Sequence, residues 1–347
     1  MDDHAFKSSA SPTLPASLYR DAAIFAHEQT AIFRHTWQLI GREAELAATG
    51  DFLADDIGGL PVLVVRAQDG DLRGWHNLCR HRAGPLVQES SGNCGHELTC
   101  RYHGWRYQLD GRLRAAVDFG PAEGFDPRKF GLVPIQADTW RGLVFVNLDL
   151  EAPPLAEAMA ALDGVWAIRG LADLPAFAAR RTHEVGCDWK TYMENFLEGY
   201  HLPSVHPGLG SEVDVQRYSI AVDQDVVVQA AASMGDARAA NLGLWIWKWP
   251  NLGISLYSGG LMIERVSPIG FGRTRLDYLY FHDAASGADF DYVLHVSERT
   301  TAEDVVICEA VQKRLSGGIY ERGMLSPHHE AGIAAFQAHV RRVHGPE

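Results

Sequence analysis

The spacing of apolar positions changes character along the chain. Between Leu18 and Trp37, the residues Ala23, Phe25, Ala26, Ile32, Phe33 and Trp37 supply one apolar side of a helix. From Gln38 to Leu150 the pattern shifts to short β-prone runs punctuated by glycine, at 60–65, 98–102, 105–109 and 143–148. Gly70-Asp71 and Asp110-Gly111 read as hairpin turns within that stretch. Residues 151–180 are rich in Ala and Leu and predict helix. Strands return between Tyr218 and His282, at 221–230, 245–249, 253–257, 262–267 and 275–281, and helices over 301–316 and 329–343 close the chain. Strands gathered in runs between helices predict an α+β fold with an antiparallel sheet. The expected organisation is an N-terminal segment and helix over 1–37, a small all-β domain over 38–150, and a domain of sheet and helices over 151–347.

Composition narrows the class. A chain of 347 residues with 46% hydrophobic content, nine Trp and 22% charged residues can bury a sizeable core. No apolar run reaches 18 residues, so no membrane span is expected. The first fifteen residues are polar and unlike a secretory signal, which predicts a cytoplasmic protein. A net charge of −13 spread along the chain argues against nucleic acid or an anionic membrane as partner. Five cysteines, an odd count, do not suggest a disulfide framework. Cys94, Cys187 and Cys308 read as ordinary thiols.

Two groups of residues carry candidate chemistry. Laid on a helix, the stretch 188–207 places Trp189, Tyr192, Met193, Phe196 and Tyr200 on one stripe and Glu194, Glu198 and His201 on another. Asn195 lies nearby, Pro203 is expected to end the helix, and His206 arrives on the exit loop. Two imidazoles beside acidic side chains suit a mononuclear metal; a solvated acidic face with a capping His is the plainer reading. The second group is Cys79-Arg80-His81, an eighteen-residue gap, then Cys100-Arg101-Tyr102-His103. Zinc could use this Cys2His2 set, and so could a [2Fe–2S] cluster with both Cys on one iron and both His on the other. Asp304 shares a helical stripe with Ile307, Cys308, Val311 and Leu315, where a carboxylate is costly unless charge meets it. Thr301-x-x-Asp304 also fits a capping box, which would make Asp304 part of a helix start. Trp245, Trp247 and Trp249 share a strand face, either as core or as a pocket wall for a ring or a cation.

NLCRHRAGPL (77–86), CRYHGWRYQLDGRL (100–113), NFLEGYHLPSVHP (195–207) and TAEDVVICEAVQ (301–312) resemble, in order, the four signature segments of Rieske non-haem iron oxygenases. The resemblance covers roughly residues 20–340. It implies a terminal oxygenase (alpha) subunit with an N-terminal Rieske domain and a C-terminal catalytic domain. By position it assigns Cys79, His81, Cys100 and His103 to the [2Fe–2S] cluster, and His201, His206 and Asp304 to mononuclear Fe(II). Asn195 matches a position near that iron. Glu198 stands where the family usually places Asp, linking an iron-ligand His to a Rieske His of the neighbouring subunit in a homotrimer. Ala83 replaces the usual Gly of the first cluster loop. The implied partners are dioxygen, a small organic substrate, and a separate reductase that passes electrons from NAD(P)H, with or without a ferredoxin. An aromatic or ring-bearing substrate is expected first. The alternative is a quaternary ammonium or N-methyl compound, toward which Glu198 leans, since Glu at this position marks a subset that includes enzymes oxidising such compounds. A rival of another class is a non-enzymatic Rieske electron carrier.

Overall fold

A computed structural model describes residues 11–345 apart from 172 and 234–240. The chain divides into two compact units, Glu28–Ala160 and Met1–His27 together with Ala161–Glu347. Among the described residues no helix is long and apolar enough to cross a membrane.

The unit Glu28–Ala160 is built on an antiparallel sheet with spatial order Gln38–Arg42, Leu143–Asn147, Pro134–Trp140, Leu72–His76, Leu60–Arg66, Asp51–Ile57, Ser91–Asn93. Strand Leu60–Arg66 explains the continuous apolar run seen in the sequence, because it is buried on both faces. Val62 and Val64 pack with Leu53, Ile57, Val144 and Val146. Leu63 and Val65, one residue out of phase, pack with Phe52, Leu98, Trp105 and Tyr107. A smaller sheet of Glu97–Thr99, Arg106–Gln108 and Leu113–Ala115 completes the unit.

The other unit is organised by an antiparallel sheet in the order Phe177–Val185, Arg273–His282, Gly260–Gly270, Leu252–Tyr257, Asn241–Lys248, Val226–Ser233, Val213–Asp223. Six of these strands follow one another as hairpins. The run 221–230, expected as one strand, is such a hairpin: Gln224 takes a left-handed φ of 52° and the chain turns there. Phe177–Val185 is a strand where helix was expected to continue. Residues 11–21 join this unit, with Thr13 N–H donating to Gly323 O (3.1 Å) and Leu14 N–H to Gln337 Oε1 (3.0 Å). The long helix begins at Phe290 and runs to Leu315, not at Thr301, since Asp289 caps it by accepting from Tyr292 N–H at 3.1 Å. Thr301-x-x-Asp304 therefore sits in mid-helix, and the capping-box reading of Asp304 falls. The sequence signal misled because capping-box patterns are common, whereas the true cap follows a Gly/Ala/Ser loop with few apolar residues.

Two loops of the first unit share one hydrogen-bonding scheme. Cys79 N–H donates to Gly84 O (2.7 Å) and Ala83 N–H donates back to Cys79 O (2.9 Å). Cys100 N–H donates to Trp105 O and Gly104 N–H to Cys100 O, both at 2.9 Å. The fifth residue of each loop must adopt left-handed φ, 55° at Ala83 and 72° at Gly104. Alanine pays roughly 1 kcal/mol or more there, whereas glycine gives back only part of that through its freer unfolded chain. Ala83 is exposed, so little packing is lost with its methyl group. Ala83→Gly is expected to stabilise this unit by about 0.5–1 kcal/mol, read as a higher midpoint for its thermal unfolding. An unchanged or lower midpoint would show that the strain at Ala83 is relieved some other way.

Candidate functional site

The helix that starts the 188–207 stretch is shorter than its apolar stripe suggests. Asp188 caps it, accepting from Lys190 N–H at 2.9 Å, and it spans Trp189–Phe196 with Leu197 as its C-cap. A second short helix, Leu202–Val205, then starts at His201. Pro203 lies in its first turn, where a missing N–H costs nothing, instead of ending the first helix. His201 is thus placed by a turn and not by the Glu194–Glu198–His201 stripe, and Tyr200 is exposed. Glu194 points elsewhere altogether. It accepts from Tyr19 Oη (2.6 Å) and Gln337 Nε2 (2.7 Å), and burial pushes its carboxyl up to about 7 against those hydrogen bonds.

His201, His206 and Asp304 converge, with one donor atom from each lying within 4.8 Å of the others. Asp304 Oδ1 is 2.9 Å from His206 Nε2 and 3.8 Å from His201 Nε2. Two donors about 2.1 Å from one metal ion and at right angles stand about 3 Å apart, so this spacing fits a shared cation. The other ring nitrogens are committed to carboxylates: His201 Nδ1 to Glu198 Oε1 at 2.6 Å and His206 Nδ1 to Glu303 Oε2 at 2.7 Å. With Nδ1 carrying the proton, both Nε2 lone pairs face the Asp304 oxygen, and something positive must lie between them. His206 expresses this need directly. Burial opposes its protonation, yet Asp304 and Glu303 outweigh it and hold its pKa above the usual value. Asn195 Nδ2 donates to Asp304 Oδ1 at 2.7 Å and fixes the carboxylate from the side.

In the other unit, Cys79 and Cys100 are buried and the imidazoles of His81 and His103 lie edge to face, 4.5 Å between centroids. His81 stacks on Trp105 at 4.8 Å, which sets the ring's plane. Its Nδ1 is buried without a hydrogen-bond partner, an orphaned acceptor that a metal would satisfy. Tyr107 Oη lies 3.2 Å from Cys79 Sγ and accepts from Arg80 N–H at 3.0 Å. Two thiols inside and two imidazoles at the rim suit a binuclear cluster with mixed ligation.

A cavity opens beside the His201–His206–Asp304 triad. Its walls include Tyr192, Phe196, Tyr218, Trp245, Tyr257, Tyr278 and Tyr280, with Met262 and Glu264 from strand Gly260–Gly270. Glu264 is 2% exposed, and burial pushes its carboxyl up to about 8. Of the three tryptophans, Trp245 lines the cavity, while Trp247 and Trp249 pack on Phe336 in the core, so both readings of that face hold, each for part of it.

Family comparison bears on both sites. A model of the Rieske [2Fe-2S] domain matches residues 36–125, and one of the ring hydroxylating alpha subunit (catalytic domain) matches 172–236 and 221–345. The chain belongs to the Rieske non-haem iron oxygenases. This Rieske oxygenase is 28% identical over 332 residues to choline monooxygenase of Arabidopsis thaliana, covering 90% of this chain and 78% of the relative. It is 29% identical over 351 residues to the carnitine monooxygenase oxygenase subunit of Escherichia coli, covering 95% and 93%. Among solved structures it is similar to the quaternary ammonium Rieske monooxygenase CntA. The complex with L-carnitine aligns with a TM-score of 0.84, 26% identity and coverage of 98% and 97%. A second CntA structure, concerned with carnitine oxidation and inter-subunit electron transfer, aligns at 0.85, 25% identity and the same coverage. As a member of this family the protein is an oxidoreductase that uses a [2Fe–2S] cluster, mononuclear iron, and electrons supplied by a reductase. The zinc reading gives way to the Rieske [2Fe-2S] match over 36–125, and the electron-carrier reading to the match through the catalytic domain.

Sequence reasoning missed Glu303 and Tyr107. Glu303 adjoins Asp304 and could have been found by asking what holds the second imidazole; nothing local marks Tyr107 as a partner of Cys79. Asp304→Ala is expected to strip the mononuclear iron while the cluster absorbance persists. Glu303→Gln should weaken iron binding about 10–100-fold, as loss of a group that orients a ligand imidazole does. Iron content measured against cluster absorbance checks both, and full iron occupancy in Asp304→Ala would remove the triad from consideration.

Proposed function

We propose that this Rieske oxygenase is the terminal component of a monooxygenase that hydroxylates a small alkylated ammonium compound. The observation that carries the reading is the cavity beside the triad, which joins an aromatic wall to a buried carboxylate. Aromatic faces attract alkylammonium cations, worth about 2 kcal/mol when desolvated. The names of the matched relatives, choline and carnitine monooxygenases, point the same way. Ring-bearing substrates, placed first on sequence alone, therefore yield to the ammonium class. The net reaction takes a substrate C–H bond, dioxygen, two electrons and two protons to a C–OH group and water.

In this reading His201, His206 and Asp304 are the iron ligands, and Cys79, His81, Cys100 and His103 hold the cluster. When bound, the iron supplies oxygen activation and the cluster supplies one-electron storage. The chain's own side chains do the rest. Glu198 and Glu303 fix the tautomers of the two imidazoles, Asn195 holds the Asp304 carboxylate, and the tyrosine-rich wall excludes water. Glu198 also serves as the link to the cluster of a neighbouring copy, which makes the working form a homotrimer. Its carboxylate already holds His201 Nδ1, and a related structure is described in terms of inter-subunit electron transfer. A cytoplasmic setting suits five cysteines that are all free thiols.

Coupled turnover tests the substrate class: product formed per oxygen consumed, with choline-, betaine- and carnitine-like compounds against aromatic acids. Tight coupling is expected in the ammonium set, and coupling with the aromatic acids alone would overturn the proposal. Glu198→Gln is expected to retain both metals yet slow re-oxidation of the reduced cluster by roughly 10–100-fold or more. Rapid mixing with substrate and oxygen measures this, and normal re-oxidation would exclude Glu198 from the electron path.

A further inference from the structure

Glu264 lies on the cavity-facing side of strand Gly260–Gly270, together with Met262. Its Oε1 is buried and has no hydrogen-bond partner. Leaving such an atom unsatisfied is costly, more so for a charged group, so folding alone gives no reason to keep it. The neighbouring cation does not relieve it. Arg265 points to the opposite face of the sheet by strand alternation, where its Nη2 donates to Asp277 Oδ2 at 2.8 Å. Tyr192 and Tyr278, hydrogen-bonded to each other at 2.8 Å, also support the Glu264 carboxyl by hydrogen bonding, but Oε1 keeps no partner. Across the ladder, Gly253 admits the Phe196 ring beside Glu264: a methyl group there would stand 3.0 Å from the ring edge and 3.5 Å from Glu264 Oε2. Phe196 and Glu264 both line the cavity.

Among the described residues, no Lys or Arg lines this cavity. That matters for the rest of the ligand. A bound cation favours the ionised form of Glu264, whereas a betaine- or carnitine-like zwitterion also brings its own carboxylate, which would enter beside Glu264 with no cationic side chain to meet it, and like charges in a desolvated site repel. Resting on the substrate class proposed above, we propose that Glu264 is the counter-ion of the substrate site, and that the site takes an organic monocation, an alkylammonium alcohol or amine with no carboxylate of its own. Glu264 thereby sets specificity within the ammonium class, as a partner of the bound cation and not as a group in the oxygen chemistry.

Calorimetric titration of the intact holoprotein under nitrogen tests this without turnover. Three probes suffice: choline, its neutral isostere 3,3-dimethylbutan-1-ol, and L-carnitine. Choline is expected to bind at least about tenfold more tightly than either of the others, since charge pairing in a desolvated pocket is worth that much or more. Glu264→Gln should weaken choline about tenfold or more and leave the isostere within about threefold of its affinity for the parent protein. Equal losses for both probes, or L-carnitine binding as tightly as choline in the parent protein, would overturn the proposal. Should the variant lose its cluster absorbance and fail to fold, the three-probe comparison in the parent protein decides by itself. Turnover separates this from the broader reading: coupling with ammonium compounds, but no dependence of binding on Glu264, removes the counter-ion alone. Coupling with ring compounds only removes both.

Discussion

The catalytic unit depends on one carboxylate placed against its natural tendency. Asp304 is buried in the middle of a 26-residue helix, on the side that faces the cavity. Every group around it is oriented to its charge: two imidazole nitrogens, the Asn195 amide, and behind the imidazoles the carboxylates of Glu198 and Glu303. Three carboxylates gathered around two imidazoles in a partly dry space are stable together when positive charge is shared among them. The helix supplies rigidity and the 197–206 turn region supplies the two imidazoles. The site is assembled from one stiff element and one irregular one.

The pair of Cys–His loops follows the opposite plan. Cys79 and His81 come from one six-residue loop and Cys100 and His103 from another, and each loop closes on itself with two backbone hydrogen bonds. The surrounding unit mainly holds the two loops against each other through the Leu63, Trp105 and Tyr107 core. Ligands within a loop are set by local geometry, whereas the relation between loops is a matter of tertiary packing.

This contrast accounts for what the sequence revealed. The Cys-x-His and Cys-x-x-His patterns were legible because their geometry is local, and the α+β character was legible from apolar spacing. The 188–207 stretch was legible as a place where two imidazoles and a carboxylate could meet, but not as a shape. A helical stripe drawn through Glu194, Glu198 and His201 assumed regular helix past Leu197, where the chain in fact turns twice. Glu194 satisfied the same periodicity as a ligand and yet serves Tyr19 and Gln337, because periodicity names a face and not what the face meets. The start of the helix at Phe290 was hidden by the polarity of its first turns. The open valence of Glu264 belongs to three strands at once, and no single segment carries that signal.

The sheet's hairpin order has an evolutionary consequence. Ser255, Tyr257, Met262, Glu264, Tyr278 and Tyr280 all lie on three successive strands between Leu252 and His282, a contiguous stretch that contains neither the triad nor its supporting carboxylates. A recombination event, or a run of drift, confined to that stretch would reline much of the cavity while leaving the triad and its supporting carboxylates untouched. Chemistry and selectivity are inherited on separable pieces of one gene, which gives this architecture a ready route to new substrates without first losing the old reaction.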